Sequence, residues 1–189
     1  MNWRVIVPTL LVALISFGPA GTAQAQIDPL TGSQMGPVGV YAFKHQPRKI
    51  VDFETRHAPG TILVSTGERT LHLVLENNKA MRYDIGVGRE GHTFSGTFPL
   101  TRKAEWPSWT PTQAMHQRNP NLPDFMPGGP QNPMGARALY IGNTLYRIHG
   151  TPQAWSVGRD MSAGCIRMTN DDVKDLYERA SIGATIIVE

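Results

Sequence analysis

The sequence predicts a mainly β domain, a sandwich or barrel-like sheet with one short helix near its C-terminus. Three observations carry this reading. From residue 61 onward, short aliphatic and β-branched runs (residues 61–65, 70–75 and 80–87) alternate with turn residues. Asn77-Asn78 and Gly142-Asn143 each separate two such runs, which is the chemistry of hairpin turns. Only Val173, Leu176, Tyr177 and Ala180 recur at helical spacing.

Ahead of this domain lie two segments of different character. Arg4 precedes an apolar stretch, residues 5–17, broken only by Pro8, Thr9 and Ser16, and Ala23-Gln24-Ala25 supplies an A-x-A cleavage site. A membrane span needs about 20 apolar residues, so the stretch reads as a signal peptide, residues 1–25, and not as an anchor. No cysteine follows it to carry a lipid. The expected mature protein starts near Gln26, is periplasmic or otherwise in the cell envelope, and keeps no stable membrane anchor. Residues 26–58 hold no sustained period and form an extended leader, with a short strand expected at residues 49–53. Pro59-Gly60 is turn chemistry and marks the start of the domain, residues 59–189.

Within the domain, Leu71, Leu73 and Leu75 alternate onto one strand face, leaving Thr70, His72 and Val74 on the other. His72 is therefore expected as a half-exposed strand residue. Gly86, Gly88 and Gly91 have the spacing of a phosphate loop but no Lys-Ser/Thr ending and no following helix, so a turn is expected. Residues 105–135 form a long aperiodic stretch holding seven of the 15 prolines, with Trp106, Trp109 and Phe125. Ordered loops of this length line sites or pack as surface excursions, and both readings stand. Residues 138–141 and 145–148 flank Gly142-Asn143 and end at His149. Thr169 is the expected N-cap of the helix, with Asp172 near its third position, and Gly183 precedes a last strand at residues 184–188.

The net charge is +3 and the sequence pI about 9.2, yet the basic residues are scattered, with no stripe interleaved with aromatics. Nucleic-acid binding is not expected. No paired-His, H-E-x-x-H or C-x-x-C spacing occurs, so neither metal nor cofactor is expected. His45 and His57 fall in the leader, His92 in the glycine turn and His116 in the proline-rich loop, all read as surface positions.

The chemistry centres on Cys165, the only cysteine, in Ser162-Ala163-Gly164-Cys165-Ile166-Arg167-Met168. A lone thiol cannot close an internal disulfide, and thirteen residues before Ser162 stands His149. Thiol and imidazole form a nucleophile–base pair. The expected helix start and Arg167 both lie close enough in sequence to favour the thiolate. Gly164 lets the backbone bend so that its N–H and that of Cys165 can face a developing oxyanion. Ser162 is placed to bond His149 or the backbone of the turn. The alternative is a buried structural cysteine in a glycine turn.

Together His149-Gly150-Thr151 and residues 162–168 resemble the signature of the YkuD-type L,D-transpeptidases, bacterial cell-wall enzymes. The resemblance runs from about residue 59 to 189 and takes in Gly86-Val87-Gly88, Gly91-His92, Thr97-Phe98, Trp109-Thr110-Pro111, residues 126–130 and Asn132-Pro133. It implies the family's mainly β catalytic fold and action on peptidoglycan stem peptides, with Cys165 as nucleophile and His149 as base. It implies that terminal D-alanine leaves and that the acyl-thioester passes to an amine of another stem, or of an envelope protein in some members. It further implies catalytic support from Ser162 and Gly164, and substrate contacts from Arg167, Gly150 and Trp109. One departure is Ala163, where many members carry histidine, which leaves His149 as the motif's one imidazole. A hydrolase of the same fold and a non-catalytic peptidoglycan-binding module are the competing readings.

Overall fold

A computed structural model describes residues 45–189. The expected signal peptide, residues 1–25, and most of the expected leader, residues 26–58, lie outside these residues. Eleven strands and two α-helices follow in order: β1 (Lys49–Asp52), β2 (Ile62–Ser65), β3 (Thr70–Leu75), β4 (Lys79–Asp84), β5 (Val87–Gly88), β6 (Gly96–Glu105), α1 (Gln113–Arg118), β7 (Arg137–Ile141), β8 (Arg147–Thr151), β9 (Asp160–Ser162), β10 (Ile166–Thr169), α2 (Asn170–Arg179) and β11 (Thr185–Val188). Nine strands form one mixed sheet in the order β1-β4-β3-β2-β11-β6-β7-β8-β10, and β5 pairs with β9. The mainly β class holds.

β6 joins the two halves of this sheet. Its first residues pair with β11 and its later ones with β7, with a register shift between Leu100 and Arg102. A shift of this kind bends a strand and increases its twist. One hydrophobic cluster then takes Ile62, Leu71 and Tyr83 from one half and Leu139, Ile148 and Met168 from the other. Val173 and Leu176 of α2 complete it, both fully buried. The helix begins as the sequence requires: the Thr169 side chain accepts from the Asp172 N–H, and Asp171 and Asp172 occupy the first turn.

The hairpin chemistry is borne out at Asn77 and Asn78, both in the left-handed region (φ 59° and 53°). The other hairpin differs from expectation. Its second strand starts at Arg147, so Leu145 and Tyr146 belong to the connection. The expected strand over residues 80–87 breaks after Asp84, because Gly86 forms an isolated bridge with Arg167 and Val87 pairs with Asp160. On β3, Val74 is buried and Leu75 only half-buried. Chain N-terminal to β2 covers this face: Phe53, outside the expected domain, stacks on His72 at 4.6 Å, and residues 60 and 61, inside it, hydrogen-bond to Val74.

Residues 45–53 thus belong to the folded unit. β1 pairs with β4, and the Gln46 N–H donates to Asp84 at 2.7 Å. His45 and Arg48 reach Asp172, which is buried, at 2.7 and 3.3 Å.

Candidate active site

His149 lies in the middle of β8, and the strands on both sides fix where it points. Ala138 of β7 and Arg167 of β10 are its register partners. These three share a face, because side chains alternate along each strand, while Leu139, Ile148, Ile166 and Met168 turn to the core. Arg147, two residues before His149, points the same way. Extending the parallel register by one residue sets Cys165 beside Arg147. A sequence-distant thiol, an imidazole and two guanidiniums are so gathered on one rigid surface.

A cavity of about 350 Å³ covers this surface, and His149, Cys165, Ser162, Arg147 and Arg167 all line it. Its opposite wall comes from the proline-rich stretch, through Trp109, Thr110, Met115 and Met134 among others. Part of the stretch 105–135 thus lines the cavity that holds Cys165 and His149. Of the three aromatics only Trp109 reaches the cavity; Trp106 and Phe125 are exposed. Trp109 packs with Met134 and Ala138 in a second apolar cluster that seats the wall on the sheet. The buried Asn132 side chain holds it further, donating to the carbonyls of Met126 and Pro127 and accepting from the Met134 N–H. Helix α1 was not foreseen: its Thr112 N-cap is readable, but six residues are too few to show a period.

Burial favours the neutral form of both the Cys165 thiol and the His149 imidazole. Burial, reinforced by the Arg167 charge, pushes the His149 pKa down to about 3, against the pull of the Gly150 and Met134 carbonyls. His149 Nδ1 lies 2.6 Å from the Gly150 carbonyl oxygen. A carbonyl only accepts, so the proton sits on Nδ1 and Nε2 is the basic nitrogen. Burial likewise raises the Cys165 thiol, opposed by the Arg147 backbone N–H and by the charges of Arg147 and Arg167. The residue is half-buried, its remaining surface open to the cavity. The expected help from a helix N-terminus is absent, since strand β10 separates Cys165 from α2. Four residues of strand span about 13 Å.

The turn before Cys165 is held by its own groups. Ser162 Oγ donates to the Cys165 carbonyl at 2.5 Å and accepts from the Gly164 N–H at 3.1 Å. Ser162 thus bonds the backbone and not His149, and the Gly164 N–H is already engaged and not directed at an oxyanion. Gly164 has φ +112°, and a β-carbon there would stand 2.5 Å from the Tyr146 ring. Gly88 packs behind it, where a β-carbon would stand 2.2 Å from the His92 carbonyl oxygen. Gly86 and Gly88 thus each make a close approach of backbone to backbone, whereas Gly91 lies in open space. Gly150, expected at the substrate, faces Asn170 and Val173 on the helix side of β8. Arg167, also expected there, is 1 % exposed beneath the cavity.

Arg147, Arg118, His92 and Tyr146 line the cavity without having been singled out as site residues. Arg147 was within reach, being two residues from His149 on one strand. The other three needed the loops to be placed. Among the described residues no group of three or more His, Cys, Asp or Glu side chains is placed to hold a metal. Among the described residues, no helix has the length and apolarity to cross a membrane.

A mixed β-sheet that presents a single thiol and a neutral imidazole to a walled cavity defines the class of site. The chain belongs to the YkuD family, the L,D-transpeptidase catalytic domain, whose model matches residues 59–188. Probable L,D-transpeptidase ErfK/SrfK of Escherichia coli is 39% identical over 132 residues, covering 66% of this chain and 42% of that protein. Probable L,D-transpeptidase YbiS of the same species is 36% identical over 146 residues, 74% and 47% of the two chains. This chain therefore spans under half the length of these relatives. Among solved structures, L,D-transpeptidase 3 of Mycobacterium tuberculosis superposes with TM-score 0.54 at 17% identity, over 68% of this chain and 60% of that one, which shows the shared fold. A Brucella melitensis chain described as a probable carnitine operon oxidoreductase is 42% identical, with TM-score 0.51, over 72% of this chain and 89% of that one.

Proposed function

We propose that this protein is an exported L,D-transpeptidase that attacks a peptidoglycan stem peptide through Cys165. The observation that supports it most is the placement of Cys165 and His149 on one sheet face, in one cavity, in a member of this family. Cys165 Sγ adds to the carbonyl before the terminal D-alanine while His149 Nε2 takes the thiol proton. The tetrahedral adduct collapses with cleavage of the C–N bond, and the imidazolium returns that proton to the departing amine. A thioester remains. An amine of a second stem then adds to it, gives its proton to His149 and displaces the thiol, leaving an amide cross-link.

A neutral thiol and a neutral imidazole in one cavity suit this sequence. The proton moves during attack, when the amine that must leave is present to receive it. Arg147 supports the reading as the cation beside the sulfur, where negative charge gathers as the thiol ionises. Trp109 is the wall side chain placed to pack on the donor stem. Arg167 acts from below, as a buried charge rather than a direct substrate ligand. Ser162 and Gly164 keep the nucleophile's turn in place.

Incubation with purified disaccharide-tetrapeptide, followed by mass analysis, tests the reaction. Loss of D-alanine with dimer formation is expected, together with a single carbapenem adduct that is absent in Cys165→Ala. Hydrolysis alone would make water the acceptor, attachment of a protein would make an envelope protein the acceptor, and no product would sink the reading. Export is tested by N-terminal sequencing of envelope protein, expected to begin near Gln26.

A further inference from the structure

The cavity is one-sided in charge. Arg118, Arg147 and Arg167 line it with His92 and His149, and no Asp or Glu does. Elsewhere on the domain, several basic side chains sit against carboxylates: Arg69 with Asp160, Lys79 with Asp52, Arg82 with Asp84 and Arg179 with Asp175. A walled cleft lined by one sign concentrates the field felt by an entering ion.

Among the described residues, Arg118 is the arginine of this set that is neither buried beneath the cavity nor set against the Cys165 sulfur. It is the only Lys or Arg in residues 105–135, and Glu105 and Asp124 are the only acids there. Glu105 stands 3.2 Å from Arg137, and Asp124 stands 3.8 Å from His116. Arg147 lies at the Cys165 sulfur, and Arg167 is buried in β10. Arg118 is exposed on the last turn of α1, at the wall, with its side chain bordering the cavity. A guanidinium so placed matches a carboxylate in shape and charge.

Resting on the transpeptidase reading, we propose that Arg118 is the specificity-determining residue that binds a free carboxylate of the acyl donor. Two carboxylates of a stem tetrapeptide present the same chemistry: that of the terminal D-alanine, and one carried on the side chain of the diamino acid. Arg118 acts on binding and takes no part in proton transfer.

Two measurements on the full chain test this. The first needs no turnover. Cys165 is alkylated with anionic iodoacetate and with neutral iodoacetamide at low salt, in wild type, Arg118→Gln and Arg118→Lys. Arg118→Gln should lower the iodoacetate rate about threefold or more relative to iodoacetamide. Lysine should restore much of it, and 0.5 M salt should shrink the difference. The second measures donor kinetics with a free tetrapeptide and with each carboxylate amidated in turn. Arg118→Gln should raise KM for the free donor about tenfold with kcat little changed. The amidation that makes wild type and Arg118→Gln alike identifies the carboxylate. An unchanged iodoacetate-to-iodoacetamide ratio, or an unchanged KM for every donor, overturns the assignment of Arg118. A wild-type protein without turnover would instead sink the transpeptidase reading, and the alkylation ratio would still decide Arg118.

Discussion

His149 on β8 stands directly opposite Arg167 on β10 in the parallel pairing of the two strands. Burial disfavours the charged imidazolium, and the buried guanidinium beside it acts in the same direction, so the ring stays neutral far below its ordinary range. The site therefore rests as thiol and imidazole, and the reactive thiolate grows only as pH rises. Iodoacetamide labelling of Cys165 should accelerate steadily from pH 6 to 10, with no plateau between pH 5 and 7 and no inflection near 6.5. A plateau there would reveal a preformed thiolate–imidazolium pair. His149→Ala should cost about 10²- to 10⁴-fold in turnover and keep that loss at pH 9, because protonation of the leaving amine is needed at every pH. Alanine at His92 or His116 should not produce a comparable loss.

The same depressed pKa makes a statement about stability. Unfolded, His149 titrates near 6.5; folded, near 3. Between these values the unfolded chain holds the extra proton, so stability rises with pH. Its share of stability is lost as pH falls below about 6.5, on the order of 2 kcal/mol by pH 5. Urea melts of wild type and His149→Gln should converge as the pH is lowered, and parallel curves from pH 7 to 4 would contradict the buried neutral ring.

Gly164→Ala should disable the site without unfolding the sheet. The position has φ +112°, and an added methyl would meet the Tyr146 ring. We expect Cys165 labelling and turnover to fall more than tenfold, with a far-UV circular dichroism spectrum like that of wild type. Ser162→Ala removes both turn bonds and should cost about 1–3 kcal/mol. Wild-type turnover in both variants would show that the turn does not position the thiol.

Asn132 ties the wall together, holding two carbonyls and one N–H with a single side chain. Asn132→Ala should loosen residues 126–134, raise KM and increase proteolysis within the loop while the sheet keeps its melting profile. Deleting residues 119–133 should raise KM further or abolish turnover. An unaltered KM after that deletion would reduce the stretch to a surface excursion.

Residues 45–53 lie before the family-matched region yet reach the buried Asp172 through His45 and Arg48. A chain starting at residue 54 leaves that carboxylate without these partners and uncovers His72. Stripping the partners from a buried charge costs about 3–5 kcal/mol. A fall in Tm of several degrees is expected, and an Asp172→Asn change in the shortened chain should recover part of it. Equal Tm values for the shortened and full chains would return the segment to the role of tether.

Local chemistry was enough to place β3, the Asn77-Asn78 turn and the start of α2, since alternation, left-handed asparagines and a threonine cap act within a few residues. Cys165 and His149 were legible as a thiol and an imidazole within a family-like motif, and the fold brings both to one cavity. Nothing local could show that β8 and β10 run parallel, because parallel partners are joined by a crossover and their register is set by packing at both ends. That register alone brings Arg147 to the sulfur and Arg167 beside His149. The protonation states followed from burial, which sequence does not carry: nearness to a helix start and to Arg167 pointed to a thiolate, whereas the folded site keeps a thiol. The wall followed the same rule. Its prolines and tryptophans announced an ordered loop, but only its seating on Ala138, through Trp109 and Met134, set that loop against the cavity that holds Cys165.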